Sequence, residues 1–528
     1  MAASGDGTTS RPPDVLGRDA QLGDARRPGS ARTCAEFVRS LAAAFGDRPA
    51  VVLGAEVLTY GDLEERSRAL ALGLLARGVG KGCRVGVLFE NSPSWVVHCA
   101  AVTRIGAVAV PLSTFSKPPE LARVVRHADL HALVLQRSFL ARDFTAILEG
   151  GIDGLATSPP DLLLPTVPFL RWIVVEDVDV PAWARPPSWL TESGAGAEPL
   201  LREAEGELFP EEPAVMIYTS GQSATPKGVW HSHANVMGKT HYLRAMMGRT
   251  PGMESEATMP FFWVGGMVMD LLTVLEVGGQ VRCNGAPTSG GTVIGAVGPA
   301  RSTVAYGPHL PALGMSETFG MYAWGTEAPH PERPICPPMT VFDPEVEVKV
   351  VDPGGNPVAD GATGEMAVRG NGVTLGLQKV ARQDAFHADG FYRTGDECLV
   401  EGGAVYFIGR LGDMIKTSGA NVAPAEVERE LVAIDGVVRA HVVGIPDRDR
   451  GQIVGAAVVT DGAVPLDAAT IAAELGTRLA TYKVPRLVAF VDPDEVPTTP
   501  SHKVRRSELA ALIVARGLRA RRRPPEDC

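Results

Sequence analysis

Tyr218-Thr219-Ser220-Gly221-Gln222-Ser223-Ala224-Thr225-Pro226-Lys227-Gly228 separates an apolar, strand-like run at residues 214–217 from a helix predicted to begin near Ser232. Hydroxyls, glycines and one lysine crowd into a loop between strand and helix. Small residues let backbone N–H groups approach a polyanion, hydroxyls donate hydrogen bonds, and an ammonium adds compact positive charge. The order of residues excludes a Walker A loop, in which the lysine follows the second glycine and precedes Ser or Thr. Here Lys227 comes before Gly228. A polar surface turn has the same composition, so the surroundings decide the reading.

Upstream, apolar residues recur at helical spacing over residues 33–45 and 60–78, and Gly78 and Gly80 stop the second helix. Short strands at 84–89, 107–112, 132–135 and 172–176 alternate with helices at 94–105 and 120–128. That alternation predicts a doubly wound α/β layer. Residues 151–211, rich in Pro and acidic residues, read as a looser connection.

Downstream, Met259-Pro260-Phe261-Phe262-Trp263-Val264-Gly265-Gly266 sets rings beside paired glycines. This suits a pocket wall where a ligand passes close to backbone, and equally an ordinary aromatic core. Gly314-Met315-Ser316-Glu317-Thr318 offers one carboxylate beside hydroxyls, a weak sign by itself. Residues 346–351 and 364–369 alternate as strands around the turn cluster Asp352-Pro353-Gly354-Gly355, so this region is β-rich. In Phe391-Tyr392-Arg393-Thr394-Gly395-Asp396 an acidic side chain follows a glycine and can accept two sugar hydroxyls, although an isolated TGD is ordinarily a turn. From Gly409-Arg410-Leu411-Gly412-Asp413 onward the pattern turns α+β. Helices are predicted at 424–432 and 467–479 and strands at 438–443, 453–459 and 487–491. Pro497-Thr498-Thr499-Pro500-Ser501-His502-Lys503 then leads into a terminal helix.

Composition narrows the class. At 528 residues the chain is too long for one core. A net charge of −11 excludes a general nucleic-acid binder. The 7 cysteines stand singly, without CxxC or a His/Cys cluster, which predicts reduced thiols in a cytoplasmic protein. Residues 1–31 lack an apolar core and are expected to be disordered, neither signal peptide nor anchor. The apolar stretch 259–275 is broken by Asp270 and reads as a buried segment, not a transmembrane one. The arginine-rich tail reads as a solvated end.

Together these motifs resemble the adenylate-forming superfamily of acyl-CoA synthetases, peptide-synthetase adenylation domains and luciferases. The resemblance runs from about Thr33 to Leu509. It rests on Leu58-Thr59-Tyr60, YTSGQSATPKG, GMSE, YRTGD, GRLGDMIKTSGANVAPAEVE, TYKVP at 481–485 and PTTPSHK, in that order. It implies a large N-terminal domain (32–409) of doubly wound α/β subdomains plus a β-rich subdomain, and a small mobile α+β C-terminal domain (410–528). It also implies ATP, Mg²⁺ and coenzyme A, with a carboxylic acid joined to AMP before a thiol takes the acyl group.

On the matching positions, Thr219, Ser220, Gly221, Gln222, Ser223 and Lys227 are implied to hold the β- and γ-phosphates, and Ser316 to touch the α-phosphate. Glu317 is implied to ligate Mg²⁺, a hard cation that prefers oxygen. Asp396 and Arg410 would fix the ribose. Lys503 is the expected catalytic residue, its ammonium between the substrate carboxylate and the α-phosphate. Gly412 occupies the hinge, where members usually carry Asp or Lys; glycine keeps the backbone freedom that rotation needs. The Ser418-Gly419 turn is implied near the thiol channel, and Phe262, Trp263 and Gly265 in the acyl pocket.

The expected activity is ATP-dependent ligation of a fatty or other hydrophobic acid to coenzyme A. A stand-alone chain without a carrier domain, the FFWVGG wall and the KTSGANVAPAEVE segment all point there. An acyl-AMP ligase that loads a carrier protein is one alternative; an adenylation-impaired or non-catalytic relative is another. The last is motivated by departures from the family pattern. Ala224 replaces a usual glycine, Trp263 a common histidine, and His502 the glycine before Lys503. Lys227 and Glu317 are separated by 90 positions, several tens fewer than in members of the superfamily. Residues 303–313 (TVAYGPHLPAL) read as the family's strand and helix ahead of the adenine site, so the elements that normally follow are expected to be missing. Retention of Lys503, Glu317 and Asp396 favours catalysis, since a non-catalytic chain has no physical need of them.

Overall fold

The computed structural model describes residues 31–192, 198–219, 227–283, 304–306, 310–325, 338–411, 415–418, 420–462, 464–497 and 504–519. Its first large sheet has seven strands. Trp172–Glu176, Ala132–Gln136, Arg84–Leu88, Val108–Pro111 and Pro213–Thr219 lie side by side and pair parallel. Lys227–Ser232 and Gly376–Leu377 extend the same sheet antiparallel. Alternate residues of the Arg84–Leu88 strand enter different cores. Val85 and Val87 join the cluster under helices Tyr60–Ala76 and Pro93–Thr103, whereas Leu88 joins the cluster under helix Pro118–His127. That two-residue alternation is what a strand covered on both faces requires. Thr33, Thr59 and Ser92 cap the three N-terminal helices, the first two in reciprocal capping boxes with Glu36 and Asp62.

The second large sheet is antiparallel throughout. Its order is Val304–Tyr306, Leu310–Met315, Gly320–Gly325, Met339–Phe342, Ala404–Arg410, Tyr392–Glu401, Thr363–Gly370 and Val346–Val351. Here one expectation fails. The second part of residues 303–313, read as a helix, belongs instead to a strand, Leu310–Met315, which pairs with Val304–Tyr306 on one side and Gly320–Gly325 on the other. Pro311 cannot donate a helical hydrogen bond and its ring crowds the carbonyl four residues back. The ladder to Gly320–Gly325 supplies the backbone partners that a helix would have supplied internally. As a result Ser316-Glu317-Thr318 forms a single tight turn at the tip of a hairpin, closed by Phe319 in the left-handed region at φ 49°.

The apolar stretch 259–275 is buried, as its composition predicts. It is helical over Gly265–Leu272 and Thr273–Leu275. Asp270 breaks the hydrophobic run for a local reason: its Oδ2 accepts from the Thr258 and Met259 amides, both at 2.7 Å, and from the Thr258 hydroxyl. Among the described residues no helix is long and apolar enough to cross a membrane.

The C-terminal part builds its own six-stranded sheet, led by the long antiparallel pair Val437–Asp447 and Gly451–Thr460 and covered by helices Pro424–Val432, Ala468–Arg478 and Arg506–Arg516. It docks on helix Pro118–His127 of the large domain through charge. Lys483 Nζ, from the TYKVP stretch, lies 2.8 Å from Glu120 Oε1 and 2.9 Å from Glu426 Oε1. Arg123 reaches Glu430 at 3.1 Å beside them.

Candidate active site

The stretch 218–228 is held at its two ends by neighbouring antiparallel strands, in which Thr219 and Lys227 face each other in register. Residues 220–226 between them, including Ser220, Gly221, Gln222 and Ser223, lie outside the described residues. From the strand end, the Lys227 ammonium donates to Glu317 Oε1 at 2.5 Å and to the Tyr392 hydroxyl at 3.0 Å. Tyr392 donates in turn to the same Glu317 oxygen at 3.1 Å. Three segments 75 to 165 positions apart in sequence therefore meet at one point. Glu317 and Tyr392 are only 6% and 2% exposed. A carboxylate that far from water is tolerated only beside compensating charge or donors, and Lys227 and Tyr392 provide both.

The hairpin turn carrying Glu317 is fastened from below. The His231 Nε2 sits 2.7 Å from the Ser316 carbonyl, and its ring meets Phe319 edge-on at 4.8 Å. A carbonyl partner requires Nε2 to carry the proton. Thr374 donates its amide to the Glu317 carbonyl at 2.7 Å. Asn235 ties the following segment, donating to the Val373 carbonyl and accepting from the Gly372 amide. Sequence reasoning missed His231, Asn235, Thr374 and Tyr392 as site residues. They lie near quoted motifs or inside one, but their partners are set by tertiary contacts alone.

Burial lowers His231 to about 4, and likewise His233, whose Nδ1 accepts from the Cys34 amide at 3.2 Å. Both rings are thus neutral in the folded protein and become protonated near the ordinary histidine value when it unfolds. Lowered histidine values mean that the unfolded chain binds more protons, so stability falls with falling pH between about 6.5 and 4. Denaturant titrations at pH 7.5 and pH 5 should differ by about 2 kcal/mol per histidine. A His233→Gln variant should flatten its share of that slope; an unchanged slope contradicts the assignment.

Asp396 is buried next to Gly395, which takes the positive φ of 72° that the turn demands. Asp396 faces Arg410 in register across adjacent strands, so the two residues expected at the ribose are cross-strand neighbours. The backbone is set by Thr394, which receives the Asp396 amide at 3.0 Å and donates to the Met366 carbonyl at 2.6 Å. Ser316 is half-buried at the start of the Glu317 turn.

Phe262 and Trp263 stand edge-to-face 5.7 Å apart, and Phe115, unremarked in the sequence, closes a three-ring cluster at 5.5 and 6.2 Å. The glycines beside them have a packing explanation. A Cβ on Gly265 would lie 2.8 Å from Met259 Sδ, and one on Gly266 only 2.1 Å from the Pro260 carbonyl oxygen. Ser418 adopts φ 49°, with its amide on the Arg450 carbonyl and its hydroxyl 3.2 Å from the Arg450 guanidinium. Gly412, Gly419 and Lys503 lie outside the described residues.

Glu317 fits Mg²⁺ in kind and number. Mg²⁺ takes oxygen ligands and is commonly bound through one or two carboxylates plus substrate phosphates. Among the described residues no cluster of three His, Cys, Asp or Glu side chains could hold a metal ion.

The chain matches the AMP-binding enzyme family over residues 38–308 and the AMP-binding enzyme C-terminal domain over residues 426–503. It is 28% identical over 514 residues to a feruloyl-CoA synthase of Amycolatopsis sp, covering 87% of this chain and 95% of the relative. A long-chain-fatty-acid–CoA ligase of Escherichia coli O157:H7 is 27% identical over 544 residues, covering 91% and 95%. In fold the chain is similar to the amide bond synthetase McbA from Marinactinospora thermotolerans, at a TM-score of 0.70 and 24% identity, covering 90% and 99%. The o-succinylbenzoate CoA synthetase of Bacillus subtilis follows the same fold at a TM-score of 0.67 and 20% identity, covering 91% and 98%.

Proposed function

Because this chain belongs to the AMP-binding enzyme family, we propose that it is an ATP-dependent carboxylate–CoA ligase acting on a hydrophobic acid. The observation that carries the reading is the meeting of Lys227, at the mouth of the phosphate loop, with the buried Glu317 at 2.5 Å. A carboxylate is a poor acyl donor, and joining it to AMP creates a good leaving group. That step sets a carboxylate against a triphosphate, two anions, so positive charge and fixed orientation govern the rate.

In the first half-reaction a substrate carboxylate oxygen bonds to the α-phosphorus, and the bond from that phosphorus to pyrophosphate breaks. Thr219, Ser220, Gly221, Gln222, Ser223 and Lys227 hold the departing β- and γ-phosphates. Ser316 holds the α-phosphate, and Asp396 with Arg410 the ribose. Glu317 would hold Mg²⁺, which would supply Lewis-acid chemistry to the phosphates. Lys503 neutralises the charge that accumulates between carboxylate and phosphorus. In the second half-reaction the coenzyme A sulfur bonds to the acyl carbon, AMP leaves, and the thiol proton passes to solvent. Gly412 provides the hinge between the halves, and the Ser418-Gly419 turn borders the thiol channel.

The cluster of Phe115, Phe262 and Trp263 supports an apolar acid, as do relatives whose names specify feruloyl and long-chain fatty substrates. Cys34, Cys83, Cys99 and Cys283, none of them in a disulfide, support a reducing, cytoplasmic location. ATP–pyrophosphate exchange across acids of graded length and aromaticity tests the proposal, with circular dichroism on the same sample. Exchange with an apolar acid, followed by AMP release with free coenzyme A as sole acceptor, is the expected result. Dependence on a phosphopantetheinylated carrier protein would make it an acyl-AMP ligase. A folded sample that exchanges with none of the acids would leave a non-catalytic relative.

A further inference from the structure

The YRTGD stretch places two side chains at the site, and the two half-reactions use only Asp396. Tyr392 occupies a position with unusual consequences. Its hydroxyl accepts from the Lys227 ammonium at 3.0 Å and donates to Glu317 Oε1 at 3.1 Å, while those two ions touch each other at 2.5 Å. A phenol can accept and donate at once. The ring that carries it is rigidly set: Tyr392 pairs with Val368 in the sheet, and its ring meets Phe386 edge-on at 5.3 Å. The hydroxyl is therefore placed by the β-rich core, independently of the phosphate loop.

Resting on the ligase reading, we propose that Tyr392 is a positioning residue for the metal-binding carboxylate. A triphosphate arriving at the loop attracts the Lys227 ammonium away from Glu317. The carboxylate, 6% exposed, then loses its counter-ion before or as a cation replaces it. The O–H of Tyr392 remains on Glu317 throughout that exchange of partners. A carboxylate offers about four lone-pair sites on its two oxygens, so a cation can be added while the tyrosine bond persists. Lys227 changes from ion pair to phosphate contact, Glu317 from ion pair to metal ligand, and Tyr392 holds the carboxylate orientation common to both states.

The test uses the full chain, with a Tyr392→Phe variant that keeps the ring and removes only the hydroxyl. Mn²⁺ with an α,β-methylene ATP analogue is titrated, reading bound Mn²⁺ by electron paramagnetic resonance; AMP without metal is titrated in parallel. An unchanged far-ultraviolet circular dichroism spectrum and melting temperature verify that the variant folds as the parent does. The expected result is a loss of about tenfold in affinity for the Mn²⁺–analogue complex, because Lys227 also fixes the carboxylate in the free protein whereas the bound state, with Lys227 on the phosphates, depends more on the tyrosine, with AMP affinity changed less than about twofold. Equal weakening of both ligands, which a merely structural role would produce, overturns the proposal, and so does no weakening of either. The parent protein separates the two levels. If it binds neither Mn²⁺–analogue nor AMP, the ligase reading falls and this proposal with it. If it binds both and the variant matches it, only the tyrosine assignment falls.

Discussion

A Lys503→Ala variant is expected to exchange pyrophosphate roughly a hundred to a thousand times more slowly than the parent, while still converting a supplied acyl-adenylate to thioester at near-parental rate. On the role proposed for Lys503, the size of the loss is that of removing one charge that stabilises developing negative charge. The selectivity follows from where that charge develops. Adenylation drives a carboxylate oxygen onto a phosphorus bearing anionic oxygens, and an ammonium between them offsets the repulsion. Thioester formation attacks the acyl carbon of an adenylate whose carboxylate charge is already gone. The residue lies between strand Leu487–Phe490 and helix Arg506–Arg516 in the chain, and an unchanged melting temperature of the variant separates loss of charge from loss of fold. Exchange at the parental rate in the alanine variant would remove Lys503 from the mechanism. Equal loss in both half-reactions would mean that it acts on the binding of the acyl group or nucleotide generally.

A Lys483→Met variant should behave in the opposite way, losing stability first. Lys483 is 8% exposed and its ammonium holds two carboxylates, Glu120 of the large domain and Glu426 of the small one, at 2.8 and 2.9 Å. Burial disfavours its ammonium, yet the surrounding negative groups raise its pKa above that of an ordinary lysine. Burial raises Glu426 as well. Removing only the cation leaves two buried acids facing each other, a defect of about 3–5 kcal/mol.

The pH dependence gives the defect a signature. In the variant Glu426, which burial already raises, has lost its counter-ion, so the folded protein binds more protons there than the unfolded chain, and that contribution to stability rises as pH falls. The deficit relative to the parent should therefore shrink between pH 7 and 5, measured by urea unfolding with a C-terminal reporter. A second substitution, Glu120→Gln, should recover part of it by removing one of the two opposed charges. A Lys483→Met protein that unfolds with the parent at pH 7 would show that the seam contributes nothing to domain docking.

Much of the fold is written in local pattern. Strand Trp172–Glu176 and helix Pro424–Val432 occupy the positions that their periodicity and flanking residues predict, because a strand buried on two faces and an amphipathic helix leave different marks over five to ten residues. Residues 303–313 show where such reasoning stops. An apolar run containing Pro308 and Pro311 does not by itself declare its partner, and the strand Leu310–Met315 exists by pairing with Gly320–Gly325. The glycines at 265 and 266 had a ready explanation in ligand approach, whereas contacts with Met259 and Pro260 already require them.

For the candidate site, the order of short motifs points to Lys227, Glu317 and Asp396, since each motif is a run of adjacent residues whose chemistry is visible in the chain. Their relations to one another were not visible there. That Lys227 neutralises Glu317, that Tyr392 bonds both, that His231 holds the turn beneath them and that Phe115 completes the aromatic wall are contacts across tens to hundreds of positions. Amino-acid order determined which charges and hydroxyls this protein carries and which local elements bear them. Folding of two sheets and a hairpin decided which of those groups share a water-poor space, because burial and distance, which set the strength of every ion pair in it, are properties of the packed chain alone.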